Sequence, residues 1–199
     1  MGKILASAWE ILKFYNGDFS KYVDETISSM PLFDCEFILS DNDARIIESK
    51  LIENKDYEGC YNFAVFIKNS DKELLKQTII KSRKEEYCYR FARDIKCDDI
   101  LDLQKVVVDS KNAECCYKFA RDIKNADVKL ISQTVADIGD VEYCHKLATD
   151  VKGVDTLALQ NSVAKYGEPW HWFRFAQEVK GADYHEFKKY FEKTDVFNR

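Results

Sequence analysis

Cysteine and histidine are the side chains in this sequence best suited to chemistry, and one pair of them is adjacent. Cys144 stands beside His145, the combination that a thiol nucleophile and its base require. Neighbouring residues of a helix do not face each other, however, and Cys144 belongs to a recurring apolar column. Zinc binding by Cys115, Cys144, His145 and His171 would need ligands from separate segments to converge. We therefore predict core packing for Cys144, no metal site and no cofactor.

Aspartate recurs at a constant interval along the chain, and such a row of carboxylates could bind metal ions. Each aspartate stands directly before a run of apolar residues with helical spacing, where its side chain can accept hydrogen bonds from unpaired backbone N–H groups. We interpret the row as helix N-caps: Asp43, Asp71, Asp99, Asp127, Asp155 and Asp183. The sequence has no phosphate-binding loop, GxSxG elbow or HExxH motif, and we predict that the protein is not an enzyme.

A short tandem repeat supplies the elements that position these side chains. The text EYCYRFARDIK begins at Glu86, ECCYKFARDIK at Glu114 and EYCHKLATDVK at Glu142, with diverged copies at Glu58 and Trp170. Apolar residues in each copy follow the i, i+3, i+4, i+7 spacing of one helix face. A second apolar pattern follows each recurring aspartate. Each repeat therefore predicts a first helix and a second helix.

Helix pairs in tandem bury their apolar faces by stacking on their neighbours. The sequence therefore predicts an all-α fold, a right-handed α-α superhelix (solenoid) of two-helix repeats with a 28-residue period. We expect a single domain over residues 1–199, with an N-terminal helical cap over 1–30, repeats over 31–182 and a C-terminal capping helix over 183–199. Only 7 glycines and 2 prolines are present, which leaves little turn material for a many-stranded sheet.

The repeats resemble short α-helical repeats of the HEAT, armadillo and leucine-rich-variant types. Over residues 35–191, text such as CYKFARDIKNAD is similar to tandem repeats in uncharacterised phage and Firmicutes proteins. The resemblance implies a superhelical fold and a binding role, and it supplies no catalytic residues. A phage origin would imply an inhibitor of a host defence protein.

Charge, hydropathy and cysteine usage indicate which class of molecule the protein binds and which compartment it occupies. The formal net charge is -5 and the pI is about 5.4, whereas nucleic-acid-binding domains usually carry a basic surface. No apolar run approaches the roughly 18 residues that span a bilayer, and the N-terminal segment lacks the apolar core of a signal peptide. The 7 cysteines include no CxxC pair, which favours reduced thiols in the cytoplasm. We expect a protein partner rather than nucleic acid or membrane.

Two helix faces are candidate binding surfaces. The second helices carry two adjacent columns rich in amides, which make adaptable hydrogen bonds, although glutamine is also simply a good exposed helix former. The predicted partner-binding residues are Lys76, Gln77, Gln104, Lys105, Gln133, Gln160 and Asn161. The first helices offer an alternative outer face, formed by Tyr87, Arg90, Arg93, Lys118 and Arg121.

Acidic residues interleave with the bases of the first helices. Asp94, Asp122, Asp150 and Glu178 each follow a basic residue by four positions, a spacing that predicts exposed i,i+4 ion pairs. Such pairs would offset a phosphate-binding stripe. The sequence thus predicts a non-enzymatic scaffold or inhibitor that acts by occupying a partner protein's surface. The alternative is an α-solenoid that binds nucleic acid through the Arg-bearing outer face.

Overall fold

A computed structural model describes residues 40–95 and 99–191 of the chain, and these ranges contain α-helices and no strand. The helices belong to two compact units, Met1–Asp98 and Asp99–Arg199, and each unit is described by itself. The predicted cap over 1–30 lies outside the described residues. The first unit contains helices α1 (Asp41–Glu53), α2 (Tyr57–Phe66), α3 (Lys72–Ser82) and α4 (Glu85–Asp94).

The second unit continues the alternation of first and second helices. Its helix α11 lies in the predicted C-terminal cap. The described helices are α5 (Leu101–Asp109), α6 (Ala113–Asp122), α7 (Val128–Ile138), α8 (Val141–Asp150), α9 (Thr156–Tyr166), α10 (Pro169–Glu178) and α11 (Tyr184–Phe191).

Within each unit, helices pack against their nearest neighbours in the chain, and several pack against the helix two further on. In the first unit α2 packs on α4 and α1 on α3, while in the second unit α6, α8 and α10 pack in succession and α7 packs on α9. First helices therefore contact first helices, and second helices contact second helices. This arrangement is compatible with a helical repeat.

The apolar columns of the sequence form the core of both units. In the first helices the central column is fully buried, with Phe63, Phe91, Phe119 and Phe175 each at most 1% exposed. The second helices bury a matching column that consists of Ile47, Leu75, Leu103, Ile131, Leu159 and Phe187. The helical spacing in the sequence predicted these buried faces correctly.

Buried cysteines also join each first helix to the preceding second helix. The Sγ atoms of Cys116 and Cys144 lie 3.6 and 3.7 Å from the carbonyl oxygens of Val107 and Val135, nine residues earlier. A thiol is a weak hydrogen-bond donor, and the last repeat has the stronger indole donor of Trp172 in place of the cysteine. Trp172 Nε1 donates to the carbonyl of Val163 at 2.9 Å.

Side-chain caps begin most of the helices, and three of the six recurring aspartates supply such a cap with the same geometry. Asp71, Asp127 and Asp155 each accept a hydrogen bond from the backbone N–H three residues on, and they begin α3, α7 and α9. The predictions for Asp43 and Asp99 were wrong. Helix α1 begins earlier, with Ser40 as its N-cap, and α5 begins later, with Ile100 as its N-cap and no side-chain cap. Asp43 instead occupies the first turn, where a negative charge favourably meets the helix dipole.

A matched pair of substitutions in α6 tests this assignment of helix faces. Phe119→Ala should lower the free energy of unfolding by about 3–5 kcal/mol, because it opens a cavity in the aromatic column. Arg121→Ala, two residues away on an exposed position, should cost less than about 1 kcal/mol. Urea denaturation followed by circular dichroism measures both values, and equal losses would mean that the faces of α6 are wrongly assigned.

Candidate functional site

One of the two amide columns on the second helices is buried and serves the fold. Gln104 is only 2% exposed. Its Oε1 accepts a hydrogen bond from the Asp127 backbone N–H at 2.8 Å, and its Nε2 donates to the Asp127 carbonyl at 3.3 Å. One side chain of α5 thus satisfies both backbone groups of the residue that caps α7.

The same contact recurs down this column, always across 23 residues. Gln160 accepts from the Asp183 N–H at 2.8 Å and donates to its carbonyl at 3.1 Å. Glu48 accepts from the Asp71 N–H at 2.6 Å. Ser132 accepts from the Asp155 N–H at 3.3 Å. We call these four contacts the inter-helix clamps.

Lys76 occupies the remaining position of the column and differs from the others. It is 8% exposed, and its ammonium lies 2.7 Å from the Glu73 carboxylate. Lysine has no acceptor and could not form the clamp that Gln104 and Gln160 form. Since Lys76, Gln104 and Gln160 are buried, the predicted binding set is reduced to the residues of the next column.

The next column lies at the surface, as a binding role requires. Lys105, Gln133 and Asn161 are exposed, and Gln77 is half-buried. Gln133 and Asn161 line a groove on the surface of α7 and α9, together with Leu157 and Tyr166. We call this surface the α7–α9 groove.

Exposed leucines near the starts of the second helices add apolar area that the sequence did not single out. Leu130 and Leu157 are 47% and 60% exposed, and Leu157 lines the groove. At the other end of the groove Tyr166 is half exposed, with the Lys165 ammonium 4.6 Å from its ring centroid. The groove therefore combines apolar side chains with amides, the mixture typical of protein-binding surfaces.

The arginines of the alternative outer face are engaged within the protein. Arg121 Nε lies 2.6 Å from Asp122, and its guanidinium carbon lies 5.1 Å from the centroid of the Tyr117 ring. Arg93 makes the corresponding contacts with Asp94, at 2.7 Å, and with Tyr89. A phosphate group of a nucleic acid would have to compete with these carboxylates for the two arginines.

Other members of the outer face have similar intramolecular contacts. The guanidinium of Arg90 lies 4.2 Å from the centroid of the Tyr61 ring, and it also approaches Tyr87. Lys118 pairs with Glu114 at 2.8 Å, towards the start of its own helix.

Only part of the predicted i,i+4 pairing appears among these contacts. Arg174 and Glu178 form the predicted pair at 3.3 Å. Asp94 and Asp122 pair with the arginine directly before them in the chain. Asp150 accepts from the Thr149 hydroxyl at 2.9 Å. The spacing alone did not show that an adjacent arginine can reach the same carboxylate.

Polar contacts also link successive first helices across 33 residues. The Tyr61 hydroxyl donates to Asp94, and the Tyr117 hydroxyl donates to Asp150 at 2.6 Å. This bond from Tyr117 helps to hold the pKa of Asp150 below its ordinary value. His145 takes the tyrosine position in α8, with its Nε2 2.9 Å from Glu178.

Cys144 and His145 do not act together. Cys144 is fully buried and its thiol points to the Val135 carbonyl, whereas His145 contacts Glu178 on α10. Burial raises the pKa of Cys144 to about 11, so the side chain remains a thiol at neutral pH. Burial, followed by the charge of Arg174, lowers the pKa of His145. This geometry agrees with the core role predicted for Cys144.

No protein-family model, curated protein or solved structure matches this chain. Within residues 40–95 and 99–191, no group of three or more His, Cys, Asp and Glu side chains is placed to hold a metal ion. None of the helices in this part of the chain is long and apolar enough to cross a membrane. The proposed function is therefore based on the surface geometry of the second unit.

Neighbouring substitutions distinguish the buried column from the exposed one. Gln104→Ala should lower the free energy of unfolding by about 1–3 kcal/mol, because it leaves a backbone N–H without its partner. Lys105→Ala, at the next and exposed position, should change it by no more than about 0.5 kcal/mol. Urea denaturation measures both free energies of unfolding. If Gln104→Ala leaves this free energy unchanged, the clamp does not stabilise the fold.

Proposed function

We propose that this protein is a non-enzymatic scaffold or inhibitor that acts by occupying the surface of a partner protein. The observation that carries the proposal is the α7–α9 groove, in which the amides of Gln133 and Asn161 lie beside the exposed Leu157 and Tyr166. Apolar and aromatic side chains supply binding energy at protein interfaces, and the amides supply hydrogen bonds that select the partner. Lys105 extends the exposed column to α5.

The proposed fold that presents this groove is a right-handed superhelix of the two-helix repeats found in the sequence. The clamps and the packing of first helix on first helix support it, because both recur at the repeat interval. Stacking would align equivalent residues of successive second helices into one surface, which a single helix cannot provide. The proposed location is the cytoplasm.

An inhibitory role against a host defence protein is the more specific form of this proposal. It rests on the sequence resemblance to phage repeat proteins and on the absence of catalytic motifs from the sequence. The nucleic-acid alternative has weaker support, because Arg93 and Arg121 already contact carboxylates.

A charge-reversing variant tests the binding surface. Lys105→Glu combined with Gln133→Glu should reduce partner binding by about tenfold or more, because it introduces repulsion and a desolvation cost at the groove. The melting temperature should stay nearly constant, because both side chains are exposed. Affinity capture from native lysate, quantified by mass spectrometry, measures the partner retained by the wild type and by the variant.

The matched control changes the outer face instead, through Arg93→Ala combined with Arg121→Ala. This control should retain the partner at the wild-type level. If the control loses the partner while the Lys105/Gln133 variant keeps it, the interface lies on the first helices. A salt-dependent mobility shift of an oligonucleotide, abolished by the same control, would establish the nucleic-acid alternative.

A further inference from the structure

Helix α10 exposes two aromatic side chains at positions where α2, α6 and α8 carry residues that contact the next first helix of the same unit. Trp170 is 57% exposed and Phe173 is 51% exposed. In α8 the same positions, one repeat earlier, hold Glu142 and His145. His145 is only 6% exposed, because α10 packs over it.

Contacts between first helices show that side chains at these two positions contact the following first helix. Glu142 of α8 pairs with Arg174 of α10 at 3.3 Å, and His145 contacts Glu178 of α10. In the first unit, the hydroxyl of Tyr61 on α2 donates to Asp94 of α4. The two positions therefore face the following helix in each pair.

Tyrosine rings at the second of these positions also lie beside an arginine, which belongs to the following first helix for Tyr61 and to the same helix for Tyr89 and Tyr117. The guanidinium of Arg90 on α4 lies 4.2 Å from the centroid of the Tyr61 ring on α2. An arginine is thus a natural neighbour for a ring at this position. The equivalent ring on α10 is that of Phe173.

The chemistry of these positions changes at α10. Trp170 replaces a glutamate that recurs in every earlier copy, and Phe173 replaces tyrosine or histidine. Trp170 cannot form the ion pair of Glu142, although its indole N–H can still donate, and Phe173 cannot donate the hydrogen bond of Tyr61. One turn further on, Gln177 replaces the arginine of α4 and α6. The side chains at these three positions therefore carry no charge.

We propose that Trp170 and Phe173 form a second docking surface, which binds a basic amphipathic α-helix of a partner protein. The bound helix continues the packing of first helix on first helix that α6, α8 and α10 establish. It places arginine or lysine over the Phe173 ring and over the face of Trp170 that is not stacked on His171, as Arg90 lies over Tyr61. Aliphatic side chains of the helix cover the rest of the rings.

Phe173 has no polar group that could pair with an acidic side chain of a bound helix. A carboxylate opposite Phe173 would lose water and gain no hydrogen bond, which disfavours an acidic helix. Tryptophan is the aromatic side chain that attracts cations most strongly. The exposed Glu168, two residues before Trp170, adds a negative charge beside the surface. This surface lies on a first helix, so the inference does not rest on the α7–α9 groove.

Matched helical peptides test this surface on the intact protein. Two labelled peptides of about 20 residues, long enough to form helix in water, share leucine and alanine positions and differ only in carrying arginine or glutamate. Fluorescence anisotropy titrations give the dissociation constant of each. The arginine peptide should bind about tenfold or more tightly than the glutamate peptide. Trp170→Ala combined with Phe173→Ala should weaken its binding by about tenfold or more.

The aromatic variant leaves the net charge unchanged, so non-specific attraction between a basic peptide and an acidic protein cannot account for that loss. The control, Leu130→Ala combined with Leu157→Ala, removes similarly exposed apolar side chains near the α7–α9 groove and should bind the peptide like the wild type. Lys105→Glu combined with Gln133→Glu should also leave peptide binding intact. Peptide binding therefore reports on α10 even if the proposed function of the groove fails.

Several results would overturn the proposal. Equal binding of the two peptides, or no binding of either, would remove the basic helix as the occupant. Equal losses in the aromatic and leucine variants would indicate general apolar adhesion. A wild-type dimer that dissociates in the aromatic variant, measured by sedimentation, would identify a second copy as the occupant. A fall of more than about 4 °C in the melting temperature of that variant would show that the protein itself covers the rings.

Discussion

The inter-helix clamp is the contact on which the arrangement of second helices depends. A helix begins with backbone N–H groups that have no partner inside the helix, and a buried N–H of this kind destabilises the fold. In this protein the side chain of the N-cap aspartate satisfies one such group of its own helix. The preceding second helix then satisfies the aspartate's own N–H, as Gln104 does for Asp127 at 2.8 Å.

The clamp also fixes how far apart successive second helices begin. Because the contact always spans 23 residues, the first helix between them must fit a constant length of chain. Buried thiols support the same spacing from the other side. The Sγ of Cys144 approaches the Val135 carbonyl in α7, and Trp172 makes the equivalent bond to Val163 in α9. An insertion between two clamped helices would break both sets of contacts.

The periodic parts of this structure could be read from the sequence. Apolar spacing identified the buried face of every described first helix, and the aspartates directly precede most of the second helices. The role of Gln104 could not be read, because polar residues fill both its own column and that of Lys105. The sequence pattern does not show which of two adjacent polar positions is buried, because that depends on how the helices pack. A usable signal existed, since nearly every residue of the buried column can accept a hydrogen bond and stands 23 residues before a capping aspartate.

The candidate binding surfaces are formed by side chains that remain exposed in the fold. On the first helices, Arg93 and Arg121 contact acids and tyrosines of the same protein, which leaves little charge for a partner. The α7–α9 groove and the Trp170–Phe173 face instead expose apolar side chains, and in the groove these lie beside amides and the charged Asp137 and Lys165. The groove could be predicted only in part, through Gln133 and Asn161. Its leucines were missed because they fall outside the amide columns.

Hydrogen exchange at the Asp127 backbone amide tests the clamp most directly. An N–H at a helix start is normally exposed to water and exchanges rapidly. The clamp predicts that the Asp127 amide exchanges as slowly as amides in the middle of α6, and that Gln104→Ala removes this protection while leaving α6 protected. Exchange of the wild-type Asp127 amide at the rate of an unstructured peptide would contradict the account.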